Sequence, residues 1–213
     1  MMVESLIKNN KIFDIIENNK IFPVVRTTDA KKAINISKAL IDGGLKTIEI
    51  TLSFKDAPLA IKEIAKIEGA SVAAGSVITA EQAAIAVDSG AKLIVSPVLE
   101  MSIVKFCKSI KIPLVAGAAT PTEAYEAWKL GVNIIKIFPA HALGGPEYLK
   151  DILTPMPFLH LMPTGGVNID NFIDYLNVGA VAVGMGKAFY EDEYDLKAIT
   201  KKAQLVNEKL TQS

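Results

Sequence analysis

The chain holds a single cysteine, Cys107, among 213 residues. One thiol excludes an intramolecular disulfide and a multi-cysteine zinc site. Set in the amphipathic stretch "MSIVKFCKSI", it reads as a packed thiol. Net charge is missing too: 23 basic residues offset 23 acidic ones, with a pI near 6.7. Nothing in that balance favours a nucleic acid or a membrane surface as partner. No apolar stretch approaches transmembrane length. The N-terminal "MMVESLIKNNKIFDIIENNK" alternates apolar and charged residues at helical spacing, without the continuous apolar core of a signal peptide. No low-complexity linker divides the chain. These absences imply a soluble, cytoplasmic protein whose residues 1–213 form one domain, with half of them hydrophobic and able to fill a sizeable core.

What is present is a recurrence. Short β-rich segments appear about every 20 to 27 residues: "IFPVVR" (21–26), "TIEITL" (47–52), "SVAAGSV" (71–77), "KLIVSPV" (92–98), "IPLVAGA" (112–118), "NIIKIFPA" (133–140), "HLMPTGG" (160–166) and "AVAVGMG" (180–186). A helical pattern follows each, as in "DAKKAINISKALIDGG" and "TPTEAYEAWKLG". Glycines at 43–44, 90, 131 and 179 fall where helices end. Near-continuously apolar strands alternating with helices imply a parallel sheet covered on both faces. Eight such units predict a closed (β/α)8 TIM barrel, with an extra N-terminal helix over about residues 3–18. The rival, an open doubly wound sheet, usually has fewer strands and a glycine-rich turn after the first; here "VVRTTD" follows it.

In such barrels chemistry sits where strands end. The polar residues there are Arg26, Glu49, Thr51, Ser76, Ser96, Thr120, Lys136 and Thr164, with glycines at 165–166, 184 and 186. Side chains alternate along a strand. If Ile48 and Ile50 face the helices, Glu49 points into the barrel; if Ile135 and Ile137 do, Lys136 and Phe138 point in as well. A buried Glu–Lys pair is a weak stabilising device, because desolvation can cancel the attraction. The same desolvation favours a neutral amine, which attacks a carbonyl, and a nearby carboxylate can shuttle the protons of imine chemistry. Gly165 and Gly166 end strand seven, with Asn168 as a candidate N-cap beyond them, and Gly184 and Gly186 end strand eight. Loops there form the usual phosphate site of this fold, where glycines let backbone N–H groups approach an anion. The alternative is that these glycines serve only tight turns. His141, on a loop over the mouth, suits substrate contact or solvent. His160, Tyr125 and Trp128 read as structural, and Lys187 as an exposed lysine.

In order along nearly the whole chain, "FPVVR", "IEITL" with Glu49, "AAGSV", "IVSP" with Pro97, "AGAATPTEA", "KIFPA" with Lys136 and Phe138, and "PTGGV" resemble the bacterial 2-keto-3-deoxy-6-phosphogluconate and 4-hydroxy-2-oxoglutarate aldolases. The resemblance implies a class I aldolase with no metal or cofactor, acting on a small keto acid sugar phosphate. Lys136 would form the imine and Glu49 would be the general acid/base. Ser76 would touch the pyruvate moiety, Pro97 and Phe138 would shape the pocket, and Gly165 and Gly166 would belong to the phosphate loop with Thr164 beside them. The products would be pyruvate and an aldehyde such as glyceraldehyde 3-phosphate, and the enzyme would be a homotrimer. Three departures matter. Ser53 stands where many members have an arginine, whereas members acting on the galactonate epimer carry one matching Arg26. Gly186 stands where many have a serine near the phosphate. His141 replaces an acidic residue found in some. The galactonate-series aldolase, another phosphate-binding barrel enzyme (isomerase, epimerase or thiamine-phosphate synthase) and a non-catalytic sugar-phosphate sensor are the alternatives.

Overall fold

The computed structural model describes residues 20–190 and 195–212. The predicted helix over residues 3–18 lies outside them. Eight parallel strands follow one another: β1 (Ile21–Val25), β2 (Thr47–Thr51), β3 (Ser71–Gly75), β4 (Leu93–Val95), β5 (Leu114–Ala118), β6 (Ile134–Ile137), β7 (Leu161–Pro163) and β8 (Val183–Met185). Their spatial order is β7-β6-β5-β4-β3-β2-β1-β8. The ring closes between β7 and β8 through a parallel bridge of Thr164 to Gly184 and a bond from the Val181 N–H to the Leu161 carbonyl (3.0 Å). The expected (β/α)8 barrel is what the chain forms. No helix among the described residues is long and apolar enough to cross a membrane.

Helices α1 (Ala30–Asp42), α2 (Ala57–Ile64), α3 (Ala80–Asp88), α4 (Met101–Ser109), α5 (Pro121–Lys129), α6 (Gly145–Leu153), α7 (Phe172–Asn177) and α8 (Leu196–Gln212) surround the strands. Several begin on residues suited to the task. The Asp29 side chain accepts the Lys32 N–H, and Thr79 accepts that of Gln82. Thr120 and Glu123 form a reciprocal capping box, with Pro121 in the first turn. Gly44, Gly90, Gly131 and Gly179 all have positive φ just past helix ends, which an L side chain rarely adopts. The last helix returns across the first: Thr200 donates to the Ala39 carbonyl and Asn207 to that of Gly43.

Strand alternation creates two apolar layers. Ile48, Ile50, Ile135 and Ile137 join the core between strands and helices, together with Cys107. Burial pushes the Cys107 thiol up to about 11, so it stays protonated, as a packed thiol should. Phe22, Ala73, Leu93, Val95, Val115, Ile134, Met162 and Ala182 fill the barrel interior. His160 precedes β7 at the end away from the mouth, and burial lowers its pKa. β4, β6 and β7 each end three residues before their sequence segments do, whereas β8 is short because it begins at Val183, three residues late. The C-terminal residues of the first three leave the strands for the mouth, where the polar side chains collect.

Candidate active site

Glu49 and Lys136 enter the barrel interior from β2 and β6. Both are buried, and the lysine Nζ lies 3.8 Å from Oε1 of the glutamate. This distance is beyond hydrogen-bonding range, and neither carboxylate oxygen of Glu49 has a hydrogen-bond partner among the described residues. A pair built for stability would close to about 2.8 Å and satisfy the remaining lone pairs, since an unsatisfied buried charge is costly. This pair keeps its hydrogen-bonding capacity for other atoms.

Small residues make room here, one for the Glu49 carboxylate and one for a neighbouring backbone. A Cβ on Gly75, at the end of β3, would collide with the Glu49 carboxylate. Gly117 lies opposite Lys136 in the β5–β6 register, and a Cβ there would strike the Pro97 carbonyl. Gly75 and Gly117 stand within recognisable sequence segments, but nothing local marks them as spacers. Each is small because of a side chain or backbone contributed by another strand or loop.

Phe138 lies one residue past β6; its ring keeps to the Lys136 side, as parity predicts, but at 39% exposure it sits at the rim and not inside the barrel. Its ring centroid is 5.3 Å from the Lys136 Nζ, within reach of a cation–π contact. With Pro97 and Ala118 it lines a cavity of about 640 Å³ beside the mouth. Thr164 is buried, with its hydroxyl unpaired among the described residues, and packs where a Cβ on Gly184 would collide with it.

The expected phosphate loops flank the closing seam. Gly165 and Gly166 have φ of 94° and 81°. A Cβ on Gly166 would collide with His141, and the His141 N–H donates to the Gly165 carbonyl (3.0 Å). The two glycines are thus required by the turn and by close packing of the loop after β6, whatever else binds there. His141 is exposed. Gly186 precedes a short 3-10 helix, Lys187–Phe189. Asn168 does not begin α7, which starts at Phe172 after Asn171; its side chain instead accepts the N–H groups of Asp170 and Asn171 and caps the preceding turn. Three other strand-end residues serve the backbone. Thr51 bonds to the Val25 carbonyl and Ser53, Ser96 accepts the Val98 N–H, and Thr120 caps α5.

Arg26 is exposed at the end of β1, and its Nη2 donates to the Ser76 hydroxyl (3.0 Å). The guanidinium therefore crosses the end of β2 to reach β3. Ser76 has φ of 57°, a left-handed conformation that costs a non-glycine residue on the order of 1–2 kcal/mol. Such strain persists only where the surroundings enforce it. Here it presents the hydroxyl to Arg26 at the mouth.

Against this geometry, the family model for KDPG and KHG aldolase matches residues 12–202. The chain belongs to this family. It is therefore an aldolase, a lyase releasing pyruvate and an aldehyde, and readings as another phosphate-barrel enzyme or a sensor fall away. A 2-dehydro-3-deoxy-phosphogluconate aldolase of Haemophilus influenzae is 35% identical over 164 residues, covering 76% of this chain and 77% of that protein. The Zymomonas mobilis 2-keto-3-deoxy-6-phosphogluconate aldolase, crystallised with 3-phosphoglycerate, superposes with a TM-score of 0.86 at 30% identity, covering 92% and 94% of the two chains. The Legionella pneumophila KDPG aldolase, crystallised with pyruvate as a covalent carbinolamine, gives 0.83 at 30% identity, covering 90% and 96%.

Proposed function

We propose that this aldolase cleaves 2-keto-3-deoxy-6-phosphogluconate, or a close 2-keto-3-deoxy acid, through a Schiff base on Lys136. One observation carries the reading: a buried amine 3.8 Å from a carboxylate that has no hydrogen-bond partner among the described residues. The covalent carbinolamine in the Legionella relative supports the same chemistry. After giving up a proton, the amine adds to the C2 carbonyl, and loss of water leaves a protonated imine. That cation draws electrons from the C3–C4 bond. Glu49 takes the proton of the C4 hydroxyl as the bond breaks, the aldehyde departs, and a pyruvate enamine remains. Protonation at C3 by Glu49 and hydrolysis then free pyruvate and the lysine. Pyruvate with borohydride should leave one pyruvate-derived mass per chain on the peptide holding Lys136. A label on any other lysine overturns this mechanism.

The substrate has two anionic ends. We assign the phosphate to the loops of Gly165, Gly166, Gly184 and Gly186, and the carboxylate to Arg26 with Ser76. A planar guanidinium can hold a carboxylate by two hydrogen bonds, which an ammonium cannot copy. Arg26→Ala should raise KM about 10- to 100-fold, the range expected for loss of charged hydrogen bonds, while Arg26→Lys recovers only part. Unchanged kinetics in Arg26→Ala would put the carboxylate elsewhere. The reach of Arg26 across the end of β2 to Ser76, together with a serine at position 53, also favours a second reading, the galactonate-series substrate. Comparing kcat/KM for the gluconate and galactonate phosphates, their unphosphorylated forms and 4-hydroxy-2-oxoglutarate decides between them.

A further inference from the structure

Tyr190 belongs to no strand and lies beyond the glycines that end β8, yet its hydroxyl makes two bonds to the end of β1. It accepts the Arg26 N–H at 2.9 Å and donates to the Val24 carbonyl at 2.8 Å. The reason lies in the sheet. In the β1–β8 ladder Phe22 is opposite Gly184 and Pro23 is opposite Met185. Extending that register, the next rung would come from the backbone of Lys187, which has turned away into the 3-10 helix. In a parallel ladder one residue of the neighbouring strand serves the carbonyl of residue i and the N–H of residue i+2, here Val24 and Arg26. A single phenol oxygen, both donor and acceptor, replaces that missing residue.

The consequence falls on Arg26. Its side chain must cross the end of β2 to meet Ser76 at 3.0 Å, and a long, flexible side chain can do so reproducibly only from a fixed backbone. Arg26 is the first residue after β1, where strand ladders ordinarily fray. We propose that Tyr190 is a positioning residue for the substrate carboxylate: by completing the rung it fixes the Arg26 backbone and aims the guanidinium over β2. The same side chain springs from the turn that follows Gly184 and Gly186, so it ties the carboxylate end of the mouth to the loop at the other end. This inference rests on the assignment of the carboxylate to Arg26.

The test uses the full chain with Tyr190→Phe, Arg26→Ala and the double variant. Tyr190→Phe keeps the ring and removes only the hydroxyl. It should raise the KM for the keto acid, and the pyruvate concentration giving half-maximal borohydride inactivation, about 3- to 10-fold, the scale of one or two ordinary hydrogen bonds. The kcat and the competition by inorganic phosphate should stay unchanged. In the Arg26→Ala background, Tyr190→Phe should add nothing, because it acts through the arginine. If Arg26→Ala raises KM and Tyr190→Phe does not, the positioning role is wrong while the carboxylate assignment stands. An effect of Tyr190→Phe that persists in full without Arg26 also overturns it, making the tyrosine a general support of the fold. If Arg26→Ala leaves KM unchanged, the assignment itself fails and this inference with it.

Discussion

Lys136→Ala is expected to lose nearly all turnover, with kcat lower by about 10⁴- to 10⁶-fold, the scale seen when a covalent nucleophile is removed. No other described lysine is among the buried residues of the barrel, so no second amine stands ready to form the imine. Steady-state cleavage and mass analysis after borohydride give the measurement; turnover above about a hundredth of the parent's would be incompatible with a Schiff base on this residue. Stability must be followed alongside. Removing the amine leaves Glu49 buried without its counter-charge, a loss of about 3–5 kcal/mol in buried pairs of good geometry, and less here because the two groups are not hydrogen-bonded. The double variant Lys136→Met with Glu49→Gln removes both charges and should regain most of the lost melting temperature while remaining inactive. Activity and stability then part company, as they would not if the pair were only a structural ion pair.

Glu49→Gln separates the proton shuttle from the nucleophile. The amide keeps the shape that fits beside Gly75 but cannot take the C4 proton. Turnover should fall by about 10²- to 10⁴-fold, the usual contribution of a positioned acid or base. Pyruvate trapping on Lys136 should persist, because the amine and its apolar setting remain. Near-normal turnover would show that another group moves the protons and that Glu49 only accompanies the lysine.

Much of this was legible along the chain. Each strand announced itself by an apolar run, and the ends of several helices by a glycine, at positions 44, 90, 131 and 179. These are local requirements, met by neighbours in sequence. The errors have a physical cause too. Phe138 keeps to the Lys136 side, as parity predicts, but β6 ends at Ile137, so its ring stands at the open rim and not within the packed interior. Asn168 has the chemistry of a cap and uses it on the turn before α7, because Phe172 is the first residue to continue as helix. Tyr190 carried no signal, since its partners lie more than 160 residues away.

The period of two and the near-continuous apolar strands were enough to determine, from sequence, a parallel barrel with Glu49 and Lys136 turned inward. Parity names the face on which a side chain stands, but not what stands opposite it. β2 and β6 are separated by three intervening strands, so only closure of the ring brings their side chains across the interior to 3.8 Å. Tertiary structure alone decided that this distance leaves the Glu49 oxygens without hydrogen-bond partners among the described residues, that Gly75 makes space for the carboxylate and Gly117 for the Pro97 carbonyl, and that Arg26 spans β2 to reach Ser76. Each of these depends on strand stagger and side-chain reach around a closed ring, which are properties of packing between segments far apart in the chain.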